Sequence, residues 1–458
     1  MATKPKIVTL TNSSVDVLNV IRNNASVNYR DYVPVATPDA ESIRTIGAII
    51  MDNPQLQNEF LNALINRIGL VIITSRMYEN PWRRFKRGKL DFGETVEEIF
   101  VNLAKAQTFD PSVAESEIFK REIPDVRAAF HIMNYQKFYK TTVSEDQLRQ
   151  AFLSWNGISD LLSKIIEALV TSANYDEFQV MKYMVGRKIL EGRLYPLVIP
   201  SVSASNAKSI VSTIKGFSND IEFLSNKFNI AGVYQHTSKD RQYLIVNSKF
   251  DALIDVEVLS SAFNMSKTQF DGHRVLVDSF GSLDDTRLAE LFADDSTYTA
   301  ITAEEKAALD NIPAIMVGED WFMIYDNLET MRDLENGQGL YRNYWYHVWK
   351  TFSVSPFENA AVMIPGTPAV SSVTVTPDAV TMSEGSIALK ATVATTDFAP
   401  QGVNWSILAA DKDKATVTKA GVVTLADDLD NTTITVIATS VFDSTKTDTC
   451  VITVPDAD

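Results

Sequence analysis

At about Pro365 the character of the chain changes abruptly, and that break limits the fold more than any single motif does. Upstream, aromatic side chains are frequent and apolar positions recur with helical spacing. Downstream, PGTPAVSSVTVTPDAV opens a stretch rich in Val, Thr and Asp from which aromatics almost vanish. Strand-like runs follow one another closely there: SSVTVT, SIALKATV, VNWSIL, ATVTKAGVVTL, TITVIATS and TDTCVITV. β-Branched residues alternating with polar ones suit a pleated, half-buried surface. The chain therefore reads as a large mixed body followed by a small all-β tail.

Roughly seven short strands in about 90 residues indicate an immunoglobulin-like sandwich, placed at residues 369–455. Cys450 is the only cysteine, so no intrachain disulfide can form and Trp405 is expected to pack against apolar neighbours in that core. With 458 residues, 45% of them hydrophobic and 22% charged, the chain has the composition of a globular protein of two or more domains. Its net charge of −16 repels phosphate backbones on average, which argues against a general nucleic-acid binder. The N-terminus MATKPKIVTLTNSSV carries no apolar core of signal-peptide length, and no uninterrupted 18-residue apolar run occurs. A soluble chain made in the cytosol, with no membrane partner, is the expectation.

Within the body, residues 1–67 read as an N-terminal arm followed by helices. The first forty residues are polar, broken by Pro34 and Pro38, and suggest an extended arm with one short helix. A helical pattern runs from about Ile43 to Ile68, interrupted at Pro54. Residues 68–104 suggest a long two-stranded antiparallel ribbon, with GLVIITSRMY (Gly69–Tyr78) facing TVEEIFVNLA (Thr95–Ala104). Asn80-Pro81, Gly88 and Gly93 supply its turn chemistry. Such a ribbon is marginal alone and must lie on something. Residues 105–195 contain the clearest helix, Ile158–Leu190, whose stripe is Ile158, Leu161, Leu162, Ile165, Ile166, Leu169 and Val170. Asn156 or Ser159 can cap its start, and Gly192 can end it. Residues 196–320 alternate strands and helices: YLIVNS (243–248), then a helix at 255–264, then HRVLVDSF (273–280). This is a compact α+β or α/β lobe. Residues 321–365 return to β character in WFMIYDNL and YWYHVWKTFSVS.

Signatures of chemistry are missing. Neither G-x-x-x-x-G-K-[ST] nor G-x-G-x-x-G occurs, and no G-x-S-x-G elbow precedes a helix. His131, His236, His273 and His347 are widely spaced without metal-ligand partners, and His347 reads as a structural histidine in an aromatic strand. Glu97-Glu98 falls in a strand, where neighbours face opposite sides and cannot form a dyad. Asp427-Asp428-Leu429-Asp430-Asn431 lacks the glycine and distal glutamate of a calcium loop and reads as a solvated turn. Tyr341, Tyr344, Trp345, Tyr346, Trp349 and Phe352 have few adjacent cations, so a two-sided buried strand fits them better than a base-stacking platform. No enzyme activity, cofactor or metal is expected.

One segment remains distinctive. NPWRRFKRGK interleaves Arg83, Arg84, Lys86, Arg87 and Lys89 with Trp82 and Phe85. Nucleic acid is one candidate partner, and a solvated loop another. In an acidic molecule the abundant negative surface is a second copy of the chain, so Trp82, Arg83, Arg84, Phe85, Lys86, Arg87 and Lys89 are read as inter-subunit contacts.

Arm, ribbon, long helix, mixed lobe, returning strands and terminal sandwich, in that order, resemble the major capsid proteins of tailed bacteriophages with the Hong Kong 97-type fold. Local matches resemble the major head proteins of small phi-29-type podoviruses. They lie in NYRDYVPVAT, NRIGLVIITSRMYENPWRRFKRGKLDFGETVEEIF, KTTVSEDQLRQAFLSWNGI, EVLSSAFNMSKTQF and DWFMIYDNLETMRDLENGQGLYRNYWYHVWKTFSVSPFENA, spanning most of residues 1–365. The tail, through SSVTVTPDAVTMSEGSIALKATV, VNWSI and ATVTKAGVVTL, resembles bacterial Ig-like domains of group 2. The resemblance implies an α+β capsid fold in which 68–104 is an extended loop over an adjacent subunit. Residues 105–195 with 321–365 would form a peripheral domain containing the spine helix, and 196–320 an axial domain. It implies self-assembly through hexamers and pentamers into an icosahedral or elongated head shell. Scaffolding and portal proteins are implied partners, and double-stranded DNA would be enclosed without sequence-specific binding. The Ig-like domain would face outward and could meet the host surface. Virions are the implied location, after assembly in the host bacterial cytoplasm. A bacterial surface or adhesion protein with an Ig-like module is the alternative, disfavoured by the missing signal peptide.

Overall fold

The computed structural model describes residues 14–71, 78–90, 95–110, 124–152, 165, 167–253, 273–427 and 429–456. The chain forms two compact units from interleaved segments: 1–95, 132–180 and 324–352 make the first, and 96–131, 181–323 and 353–458 the second.

In the first unit, helices α1 (Ser14–Asn24), α2 (Val27–Tyr32), α3 (Ala40–Asp52) and α4 (Pro54–Val71) open the chain. Pro54 takes the first position of α4, where its missing N–H costs nothing, so the break expected there is a junction between helices. The N-terminal segment differs from the expected extended arm. Val17, Leu18, Ile21, Tyr29 and Val33 join Ile43, Ile46, Ile50 and Phe60 in one buried cluster. Residues 1–13 lie outside the described residues. Strands β1 (Lys86–Lys89), β9 (Phe322–Asn336), β10 (Tyr341–Val354) and β4 (Tyr135–Ser144) form a sheet in the order β1-β9-β10-β4. Helix α5 (Glu145–Phe152) follows β4, and its Leu148, Ala151 and Phe152 enter the same core.

The expected long helix is present over its described part. A π-helical turn, Glu167–Thr171, leads into α6 (Ser172–Leu190). Ile165, Leu169 and Val170 are buried as the stripe requires, whereas Ile158, Leu161, Leu162 and Ile166 lie outside the described residues.

The ribbon expected at 68–104 is a correction. Gly69, Leu70 and Val71 continue α4 instead of forming a strand, and residues 72–77 lie outside the described residues. A continuous apolar run does not separate strand from helix by periodicity, and a helix already propagating from Pro54 extends at little cost. β2 (Val96–Val101) pairs instead with β3 (Val126–His131), antiparallel, from Val96↔His131 to Val101↔Val126. The basic segment leaves the ribbon altogether and becomes β1, parallel to β9, with Lys86 opposite Ile324 and Lys89 opposite Asp326. The register shifts between Lys86 and Gly88, whose φ of 131° is open to glycine but strained for other residues.

In the second unit a five-stranded mixed sheet runs β5-β11-β8-β6-β7. Its strands are β5 (Tyr195–Val198), β6 (Gln242–Asn247), β7 (Arg274–Val277), β8 (Ala314–Gly318) and β11 (Ala360–Ile364). Helix α7 (Ala207–Asp220) covers one face, with Ile210, Ile214 and Phe217 against Leu244, Met316, Ala361 and Met363. The shorter helices α8 (Asp285–Leu291) and α9 (Ala303–Asp310) precede β8. The helix expected at 255–264 lies outside the described residues.

The C-terminal part is all β, as its composition requires. β12 (Ala369–Thr376) pairs with β15 (Lys390–Thr396). β13 (Ala379–Thr381), β20 (Thr447–Val454), β19 (Thr432–Ser440) and β16 (Val403–Ile407) form a second sheet in that order. β14 (Ser386–Ala388), β18 (Val422–Leu425) and β17 (Ala415–Val417) form a third. Val373, Val393, Val423, Ile434, Val436, Cys450 and Ile452 share one core. Trp405, opposite Ala438, packs against this core but stays half-buried, so it borders the core instead of centring it.

Candidate functional site

The basic segment divides by its own spacing. Asn80 Oδ1 accepts a hydrogen bond from the Trp82 N–H at 2.8 Å, and a single 3₁₀ turn follows at Arg83–Phe85. Trp82 and Phe85, three apart, then fall on one side and are buried, while Arg83 and Arg84 fall on the other and are exposed. The Trp82 ring meets Phe178 of α6 edge-on at 5.5 Å and Phe85 at 6.3 Å. Both aromatics, read as contact residues, are therefore core, because two apolar rings gain more from burial than a solvated turn could retain.

Lys86 is also a correction. Its ammonium lies 2.7 Å from Asp326 and 3.2 Å from Glu177. Lys350, only 3% exposed on the inner face of β10, reaches Glu177 and Asp326 at 2.5 Å each and Glu329 at 3.4 Å. Asn80 Nδ2 donates to the remaining Glu177 oxygen at 2.6 Å. Two lysines and two buried carboxylates thus close a compensated cluster joining β1, α6, β9 and β10. Burial pushes Glu177 and Asp326 up, but the adjacent Lys350 and Lys86 ammonium groups outweigh it and hold both below the usual carboxylate range. Burial pulls Lys350 down, and its three carboxylate neighbours more than reverse that. This arrangement holds charge in place; it offers no group poised for catalysis.

The remaining cations stay at the surface. Arg83 pairs with Glu79 at 3.6 Å, Lys89 lies 3.9 Å from Glu329, and Arg84 and Arg87 are exposed. Of the seven predicted contact residues, Arg83, Arg84, Arg87 and Lys89 are exposed.

A second surface was not singled out by sequence. On one face of the β2–β3 ribbon, Ile99 and Val101 align with Ala128 and Val126, and Phe130 sits opposite Glu97. Ile99, Val101, Val126 and Phe130 are all more than half exposed, Phe130 by 65%. The other face is anchored. His131, buried, has Nδ1 2.8 Å from Ser353 Oγ and Nε2 3.2 Å from Glu98, whose other oxygen accepts from Ser355 Oγ at 2.7 Å. Phe100 stacks on Phe357 at 5.7 Å. Glu97 and Glu98 do face opposite sides, as strand geometry requires. The signal for the exposed face was present: apolar residues on both alternating faces of one short strand pair, when a two-sided ribbon can bury only one of them within its chain.

Among the described residues no group of His, Cys, Asp and Glu could hold a metal ion. His347 is half-buried and lies against Phe138 at 5.6 Å. Asp428 of the Asp427–Asn431 turn lies outside the described residues.

The profile of the family described as Phi29-like phage major capsid protein matches residues 18–364. The major capsid protein of Bacillus phage B103 is 35% identical over 402 residues, covering 86% of this chain and 83% of that protein. That of Bacillus phage PZA is 34% identical over 400 residues, with the same shares of both chains. Among solved structures, the capsid of Staphylococcus phage Andhra aligns with a TM-score of 0.48 at 14% identity, over 64% of this chain and 86% of that one.

Proposed function

Because the chain belongs to the family of Phi29-like phage major capsid proteins, we propose that its copies join through the exposed apolar face of the β2–β3 ribbon. The chain is a structural, non-enzymatic protein of the bacteriophage virion, and its copies assemble into the capsid shell. The family gives no support to an adhesion protein. Among the described residues no helix is long and apolar enough to cross a membrane.

The single observation that carries the reading is Ile99, Val101, Val126 and Phe130 exposed together on a two-stranded sheet. A ribbon of this size is marginal in water, and covering its open face against a second copy supplies what it lacks. In this reading the inter-subunit ribbon is the described pair 96–101 and 126–131 instead of 68–104. Arg83, Arg84, Arg87 and Lys89 form a second, electrostatic contact to an acidic neighbour.

The finer assignments belong to the same proposal. A Hong Kong 97-type arrangement is favoured by a two-stranded ribbon with one open face, a long helix, and a mixed lobe at 196–320. An Ig-like domain of group 2 is favoured by the short strands sharing one core after residue 368. Scaffolding and portal proteins are proposed partners, with double-stranded DNA enclosed without sequence-specific binding and the Ig-like domain available for contact with a host surface.

The test is an Ile99→Asp, Phe130→Asp double variant, examined by electron microscopy beside the unchanged protein. Both positions are exposed, so the unassembled chain should keep its stability to within about 1 kcal/mol for the pair. Shells should be lost. Normal shells at normal yield would refute the ribbon's role.

A further inference from the structure

The short connection to the C-terminal β module, and the surface on which that module rests, suggest a role inside the chain. Only residues 365–368 separate β11 from β12, and they are tied down: Thr367 N–H donates to the Asp397 carboxylate at 2.8 Å. Asp397 and Phe398 both adopt left-handed backbone, φ 48° and 58°, a conformation that a bulky residue such as Phe holds only under constraint from its surroundings. That turn delivers Ala399, fully buried, onto the end of α6.

The end of α6 is shaped to receive it. Gly192 N–H bonds to the Ile189 carbonyl at 2.9 Å and Arg193 N–H to the Lys188 carbonyl at 2.8 Å, closing the helix around Gly192 at φ 60°. A Cβ on Gly192 would stand 2.5 Å from the Ala399 carbonyl oxygen and 3.1 Å from Pro400 Cα. The Gln401 side-chain amide donates to the Leu190 carbonyl at 3.3 Å, satisfying one of the carbonyls that a helix end leaves open.

A second contact lies elsewhere on the module. Lys419 Nζ is 3.6 Å from Asp125, the residue that enters β3. Asp125 also accepts from Arg127 at 3.0 Å and from Asn102 at 2.8 Å. Arg127 donates onward to the Ala231 carbonyl, and Asn102 Oδ1 accepts from Tyr234 N–H at 3.2 Å. These bonds form the root of the ribbon. The hydrogen bonds from Arg127 and Asn102 hold the Asp125 carboxyl at about 2, so it keeps its charge toward Lys419 under all ordinary conditions.

We infer that the C-terminal module is an intramolecular brace: seated rigidly on Gly192, it steadies the root of the β2–β3 ribbon through Lys419 and so fixes how the ribbon is presented. An exposed ion pair by itself contributes little. With the module already seated, Lys419 needs less ordering to reach Asp125. The role is distinct from display to a host and rests on the ribbon reading above only for its consequence in assembly.

The experiment is hydrogen exchange, by mass spectrometry, on the full-length unassembled chain. Gly192→Asn keeps a residue that tolerates the left-handed conformation but places a Cβ against Ala399. Exchange should rise about tenfold or more at Thr367, whose N–H is held by Asp397, rise measurably in 95–104 with 124–131, and stay unchanged in β19 and β20. Lys419→Glu should raise exchange only at the ribbon root, and Lys419→Arg should restore it. Should Gly192→Asn fail to fold, Gln401→Ala, which removes a single surface amide, is read in the same way. Unchanged ribbon-root exchange in both Lys419→Glu and the seat variant would overturn the brace, as would a seat variant in which the Thr367 amide keeps its protection. Shell formation is not the readout, so either result leaves the capsid role untouched.

Discussion

Replacing Lys350 by Met keeps the aliphatic stem and removes the charge at the centre of the buried cluster. Glu177 and Asp326, both buried, would then share Lys86 alone. Breaking a buried pair by deleting one partner typically costs about 3–5 kcal/mol, because the surviving charge loses its compensation in low dielectric. The sign with pH is specific. In the unchanged protein Glu177 and Asp326 titrate below their unfolded values, so their contribution is complete above roughly pH 4 to 5 and fades as the medium is acidified through the folded values. Lys350 titrates above its unfolded value, so its contribution is complete below roughly pH 10 and fades only in stronger alkali. Across neutral pH the cluster is therefore indifferent to acid. In Lys350→Met the loss of the largest opposing charge should let burial outweigh Lys86 and move both carboxyl groups above their unfolded values. The penalty is then full at pH 7 and shrinks as protonation relieves it toward roughly pH 5. Two compact units make a single unfolding transition unsafe to assume, so native-state hydrogen exchange at residues 86–90 and 341–352 is the better assay. A loss of about 3 kcal/mol corresponds to more than a hundredfold faster exchange through local opening. A rise under about tenfold, or a penalty that is the same at pH 5 and pH 7, would refute the reasoning.

Reversing Arg83, Arg84 and Arg87 to Glu should leave the unassembled chain folded, since all three are exposed, while electron microscopy shows shells strongly reduced. Normal shells would remove the basic segment from the contact. Cys450 is buried in the core of the C-terminal module, and burial pushes its thiol up. An aromatic disulfide reagent should therefore titrate no thiol in the native chain and one per chain in denaturant; rapid native reaction would contradict the packing of β20.

Where local pattern decides structure, the sequence was readable. The interruption at Pro54 is a junction between two helices, YLIVNS and HRVLVDSF contain strands, and the alternation in TITVIATS and TDTCVITV reappears as buried and exposed positions of β19 and β20. Pairing was not readable, because it is decided by distant segments. Val96–Val101 looked upstream for a partner and found one downstream, while Gly69–Val71 served a helix. The basic segment was misread for a related reason. Five cations dominate its composition, although Trp82 and Phe85 at a spacing of three already give the turn an apolar side. The Lys350 cluster left a fainter trace: single charges inside otherwise apolar runs, Asp326 in WFMIYDNL and Lys350 in YWYHVWKTF. Their common partner Glu177 lies on another element, and no spacing rule links them.

The order β5-β11-β8 has a consequence during synthesis. The strand between β5 and β8 is β11, Ala360–Ile364, made long after its neighbour at Tyr195–Val198. At bacterial elongation rates of about 5–20 residues per second, the ribosome works for roughly 20–70 s before that strand exists. Until then β5 has no sheet to join and one edge of β8 stands open. A chain terminated before residue 360 therefore lacks the strand that joins β5 to β8, and the sheet closes only after β11 has been made.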